Sequence, residues 1–176
     1  MIRLNIELLK GVNDICFGEF KNVVREKIGL NYKEPENHLD EPEVKKMLQG
    51  FKLMMVDISK HALSNFDEME ELYSLISDGD QNDDIYDGFT IYYNKEEKFE
   101  AIEIFPNENI ELFVDGVDFS DFTVKHFKQL ADDFTTDKIY GYLSHSKEIC
   151  FNSSLENKSQ ISSIVFGYKN YYKGIE

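Results

Sequence analysis

A chain of 176 residues, 41% hydrophobic and with 14 Phe, 10 Tyr and only 3 Pro, has the composition of one folded domain with a sizeable core and excludes a linker-like disordered chain. Its 34 acidic against 19 basic residues give a net charge of −15, which opposes phosphate backbones and anionic lipid and favours basic partners. No window approaches about 18 uncharged apolar residues, MIRLNIELLKGVND lacks a signal-peptide pattern, and two cysteines make no disulfide framework; the expectation is a cytoplasmic protein with no membrane or nucleic-acid partner.

Along the chain, Leu4 to Leu9 reads as a strand, Gly11-Val-Asn-Asp14 as a turn and Ile15 to Phe17 as a short extended piece. Phe20, Val23, Val24 and Ile28 form one helical stripe, with Gly29 placed to close the helix in a left-handed conformation. Residues 31 to 42 are polar, contain Pro35 and Pro42, and read as a loop with a helix starting after the second proline. Across 43 to 60 two readings stand: Val44, Met47, Leu48, Phe51 and Met55 keep helical spacing, while Phe51 to Val56 also suits a buried strand. Phe66, Met69, Leu72, Tyr73 and Ile76 predict an amphipathic helix ended near Ser77-Asp-Gly79.

The second half is richer in β signals. Gly88 to Tyr93, a turn at Asn94 to Lys98, and Phe99 to Phe105 predict a hairpin, and Ile110 to Val114 a further strand turned at Asp115-Gly116. A helix capped by Ser120 or Asp121 is predicted to bury Val124, Phe127, Leu130, Ala131 and Phe134. Strands at Tyr140 to Ser144, Ile149 to Asn152 and Ile161 to Tyr168 follow, with a polar loop at Ser153 to Gln160. The expected fold is α+β over a single domain, residues 1–176: antiparallel β hairpins and sheets with packed helices, in loosely repeated helix-plus-hairpin units, carrying a helix-containing insertion at about 31–85.

Charge is concentrated where Lys and Arg are missing. Between Lys60 and Lys95 the chain has neither, yet it holds Asp67, Glu68, Glu70, Glu71, Asp78, Asp80, Asp83, Asp84 and Asp87. These residues, with Tyr73 and Tyr86 as aromatic anchors, are the predicted partner-binding surface. A sheet edge that pairs with a partner hairpin is the alternative mode.

Catalytic and metal signatures do not emerge. There is no G-x-S-x-G, S-x-x-K, H-E-x-x-H, C-x-x-C or phosphate-binding glycine loop. Cys16 and Cys150 sit between apolar neighbours and read as core residues. His38, His61, His126 and His145 are dispersed and read as surface or hydrogen-bonded groups. Asp78-Gly-Asp-Gln-Asn-Asp-Asp84 begins like a calcium loop, but its sixth position is Asp83 and its twelfth is Phe89, where Gly and Glu are required. The sequence therefore predicts no catalytic residue, no metal site and no cofactor.

The stretch Gly11-Val-Asn-Asp-Ile-Cys-Phe-Gly-Glu-Phe-Lys-Asn-Val-Val-Arg-Glu-Lys-Ile-Gly29 resembles the opening of small bacterial proteins of BamE-like fold, as do Gly88-Phe-Thr-Ile-Tyr-Tyr-Asn, Glu100-Ala-Ile-Glu-Ile-Phe, Ile164-Val-Phe and Tyr171-Tyr172. Cytoplasmic proteins of this kind often accompany polymorphic or contact-dependent toxins. The resemblance implies an immunity protein that binds and sterically blocks a cognate, basic, nuclease-like toxin domain. The alternative is a small cytoplasmic hydrolase or ligand-binding domain.

Overall fold

The computed structural model describes residues 1–33, 83–137, 141–154 and 157–173. The helices and the helix-or-strand choice expected between 43 and 76 lie outside the described residues. What is described is mostly β-sheet, which overturns the α+β expectation of packed helices in repeating helix-plus-hairpin units.

The chain opens with β1 (Ile2–Glu7), β2 (Gly11–Val12) and β3 (Ile15–Cys16). The turn expected at Gly11 to Asp14 is thus narrower: only Asn13 and Asp14 turn, and Gly11 and Val12 pair with Glu7 and Ile6. Gly11 permits this because a Cβ there would lie 1.9 Å from the Ile15 carbonyl oxygen. Helix α1 (Lys21–Ile28) ends at Gly29, whose φ of 63° and N–H bond to the Arg25 carbonyl form the left-handed cap read from the sequence.

Four strands follow as β4 (Asp84–Tyr86), β5 (Phe89–Tyr93), β6 (Phe99–Ile104) and β7 (Ile110–Val114), then the two-residue β8 (Val117–Asp118). The helix expected to run to Phe134 is one turn only, α2 (Val124–Phe127), capped by the Thr123 hydroxyl rather than by Ser120 or Asp121. Ala131 is still buried, and Leu130 and Phe134 still pack on the core. They do so from irregular backbone, because Asp133 is drawn onto Ser144 and Ser146 and Thr135 enters β9 (Thr135–Asp137) opposite Leu143. The chain closes with β10 (Gly141–Ser144), β11 (Ile149–Ser153) and β12 (Ile161–Gly167).

These strands form two sheets. The five-stranded sheet has the order β3-β2-β1-β7-β8, with β1 and β7 parallel. A parallel neighbour needs a crossover, and the connection from β1 to β7 carries β4, β5 and β6 of the other sheet. The seven-stranded sheet, β4-β5-β6-β12-β11-β10-β9, is antiparallel throughout.

Alternation builds the core between them. Leu4 and Ile6 of β1 and Ile110, Leu112 and Val114 of β7 are buried, while Arg3, Asn5 and Glu7 stay exposed. On the larger sheet the rows Ile91, Ile102, Phe166, Ile149 and Phe89, Ile104, Ile164, Phe151 run across paired strands and join the same apolar cluster. Burying a side chain of this size is worth about 1.5–3 kcal/mol. The reverse face carries a smaller cluster, Leu143 and Cys150, covered by Tyr171 and Tyr172. Cys150 is therefore a core residue as expected, whereas Cys16 is exposed: β3 turns Ile15 inward and Cys16 outward.

Candidate functional site

The predicted acidic surface is only partly within the described residues. Asp67, Glu68, Glu70, Glu71, Tyr73, Asp78 and Asp80 lie outside them, as does the calcium-like start from Asp78 to Asn82. Of the four remaining, Asp87 is exposed and Asp83 half-buried, while Asp84 and Tyr86 turn inward on β4.

Asp84 is fully buried. Arg25 grips it with two nearly parallel donations, Nε to Oδ2 at 2.9 Å and Nη2 to Oδ1 at 2.6 Å, the geometry in which a guanidinium best matches a carboxylate. The Tyr93 hydroxyl donates to Oδ2 at 2.9 Å, and Lys21 Nζ stands 3.6 Å from Oδ1. Lys21 and Arg25 are one helical turn apart on α1, so a single helix face delivers both cations. A carboxylate enclosed in this way ties α1 to β4 and β5 and is not presented to a partner. Tyr86 stacks on Phe89 with ring centroids 4.6 Å apart. Its hydroxyl is buried without a hydrogen bond, and burial, then the neighbouring Asp84 charge, pushes its pKa up to about 12.

A second acidic element, not singled out from the sequence, lies on the described surface. Between β7 and α2, Asp115, Asp118 and Asp121 recur every third residue and are exposed, while Phe119 and Phe122, which directly follow Asp118 and Asp121, are buried at 4% and 6% exposure. The aromatic pair pins the loop, Phe119 packing edge-on against Phe127 at 5.0 Å. Each aspartate is oriented by local donors. Asp115 Oδ1 accepts from the Leu8 N–H at 3.2 Å. Asp118 Oδ1 accepts from the Ser120 N–H at 2.8 Å, and its bonds to Ser120 hold its carboxyl below the usual range. Asp121 accepts from the Thr123 hydroxyl at 3.1 Å and faces His126 Nδ1 at 3.0 Å. The signal available beforehand was the three-residue repeat of Asp115, Asp118 and Asp121, the last two each followed directly by a Phe.

Other polar clusters serve the fold. The Glu148 carboxylate, 7% exposed, accepts the backbone N–H groups of Asn170 (2.8 Å) and Tyr172 (3.0 Å), fastening the C-terminal turn over the reverse face. Asp133 accepts the Ser144 and Ser146 hydroxyls and the Ser146 N–H; burial raises its pKa, these bonds lower it further, and the net displacement is downward. His126 stacks on Phe119 at 4.1 Å and His145 is exposed; His38 and His61 lie outside the described residues. Among the described residues no three or more His, Cys, Asp or Glu are grouped to share a metal ion, and no described helix is long and apolar enough to cross a membrane.

No protein-family profile, curated protein or solved structure matches this chain.

Proposed function

We propose that the protein is an inhibitor of the immunity type, which binds a basic, nuclease-like toxin domain and blocks it by occlusion, without turnover. The supporting observation is the Asp115 to Asp121 loop, where three exposed carboxylates are oriented by local hydrogen bonds on a backbone anchored by buried Phe119 and Phe122. Fixed carboxylates can stand where a nuclease would hold phosphates, and a net charge of −15 steers a basic partner toward them. The segment from Asp67 to Asp87 remains part of this proposed surface through Asp83 and Asp87, without Asp84 and Tyr86. The resemblance of Gly11 to Gly29 to toxin-associated bacterial proteins points the same way.

The test is capture on the tagged protein at low salt in its native host, followed by elution with rising salt. The expected result is a stoichiometric basic polypeptide that is toxic when produced alone and harmless when co-produced with this chain. Absence of a basic partner, or co-production that fails to protect, would overturn the reading.

A further inference from the structure

The basic side chains around the Asp115 to Asp121 loop are of two kinds. Arg3 of β1 acts on the Asp118 charge, and Lys10, just before β2, feels that of Asp115. Lys125 adjoins His126 on α2. The stretch from Asn157 to Gln160, which bonds Thr123 and Val124, has Lys158 as its one ionisable side chain. All four carry a constant charge near neutral pH. His126 differs in kind, because histidine is the side chain that ordinarily changes charge between about pH 5 and 8.

Its place beside the loop is fixed. The ring stacks on buried Phe119 with centroids 4.1 Å apart, and Nδ1 lies 3.0 Å from Asp121 Oδ1. Among the described residues it is the one basic side chain within ion-pair distance of any of the three aspartates, and its charge also reaches Asp118. An ionised carboxylate only accepts, so Nδ1 keeps its proton in both states of the ring and Nε2 is the nitrogen that gains or loses one. The contact that orients Asp121 therefore survives protonation while the local charge changes: three carboxylates at −1 each beside a neutral ring become the same three beside a cation.

We propose that His126 is a pH-dependent regulator of the acidic loop: proton uptake at Nε2 sets a positive charge beside Asp121 and weakens the hold on a basic partner. The inference rests on the toxin-binding reading and adds a regulator to its site. Linkage makes the effect reciprocal, since a basic partner favours the neutral ring and releases the proton. A single proton limits the change to about tenfold in affinity per pH unit.

The test measures, at low salt, the affinity of the full chain for the captured basic partner at about pH 7.5 and about pH 5.5, on either side of the ordinary histidine range. The readout is the ratio of the two affinities in the parent, His126→Gln and His126→Lys, so that titration within the partner is common to all three. The fall on acidification is expected to be at least about threefold larger in the parent than in either variant, the effect of a unit charge at about 6 Å in water-like surroundings. The permanently charged Lys variant is expected to bind about threefold more weakly than the Gln variant at the higher pH. Should the Gln variant fold poorly, His126→Phe keeps a ring on Phe119 without a charge and takes its place. An equal fall in the parent and a folded uncharged variant, or no fall in the parent, would overturn the proposal and leave the toxin-binding reading standing. Capture of no basic partner overturns both.

Discussion

The carboxylate of Asp84 is enclosed by Arg25, Lys21 and Tyr93, whereas those of Asp115, Asp118 and Asp121 stand in solvent, oriented by short-range polar contacts. One acidic residue type has been put to two uses. In the first region the negative charge is cancelled within the fold and joins a helix to a sheet. In the second it stands exposed on a loop pinned by Phe119 and Phe122, with His126 beside Asp121, where under the proposed function it would add to the field that steers a basic partner. Net charge alone does not separate them; the position of the nearest fixed cations does.

The sharpest way to break this comparison is to remove the buried member. Asp84→Ala leaves Arg25 and Lys21 facing a buried void and is expected to destabilise the protein by about 3–5 kcal/mol, measured by urea unfolding. Asp84→Leu combined with Arg25→Met should recover part of that loss, since a packed apolar pair avoids the desolvation that an ion pair must offset. If Asp84→Ala unfolds at the same urea concentration as the parent, the cluster does not hold α1 to the sheet.

Glu148 extends the structural side of the comparison. Glu148→Ala strands the N–H groups of Asn170 and Tyr172, with an expected loss of about 1–3 kcal/mol and faster hydrogen exchange at both amides. Gly29→Ala should lower stability by about 1 kcal/mol, because an L side chain disfavours the left-handed cap.

Asp133 lies between the two uses and gives a pH signature. Its folded pKa is depressed, so the stability it contributes is present above the unfolded carboxyl pKa of about 3.9 and lost as pH falls through the lower folded value. The stability gap between the parent and Asp133→Asn should be open at neutral pH and close in strong acid, as followed by thermal unfolding across pH. A gap that widens on acidification would contradict the assigned bonds. The smallest effect on stability is expected for Asp115→Asn, Asp118→Asn and Asp121→Asn together, whose side chains are exposed.

Much of the β structure was legible in the sequence. Phe89 to Tyr93, Phe99 to Ile104 and Ile110 to Val114 are β-branched and aromatic runs bounded by turn residues, and Gly29 marked the end of α1. The two-residue strands β2 and β8 were not legible, because two residues carry no periodicity. Nor was the pairing of β1 with β7, whose partners Ile2 and Ile110 meet only in the folded sheet. The stripe through Leu130, Ala131 and Phe134 correctly marked burial and misled about backbone: apolar spacing reports which side chains face the core, and Asp133 and Thr135 found better partners outside a helix. Asp84 and Asp87 look alike in sequence. A clue to their different fates was Lys21 and Arg25 flanking Val24 on a helix with a buried face, since inward cations require an inward anion.

The most direct test of the division between structural and displayed carboxylates is the affinity of the captured basic partner for the parent and for the Asp115→Asn, Asp118→Asn, Asp121→Asn variant, each at low and high salt. The account predicts that the variant unfolds like the parent, binds at least about tenfold more weakly at low salt, equivalent to about 1.4 kcal/mol, and responds less steeply to salt. Unchanged affinity and salt response in the folded variant would contradict it.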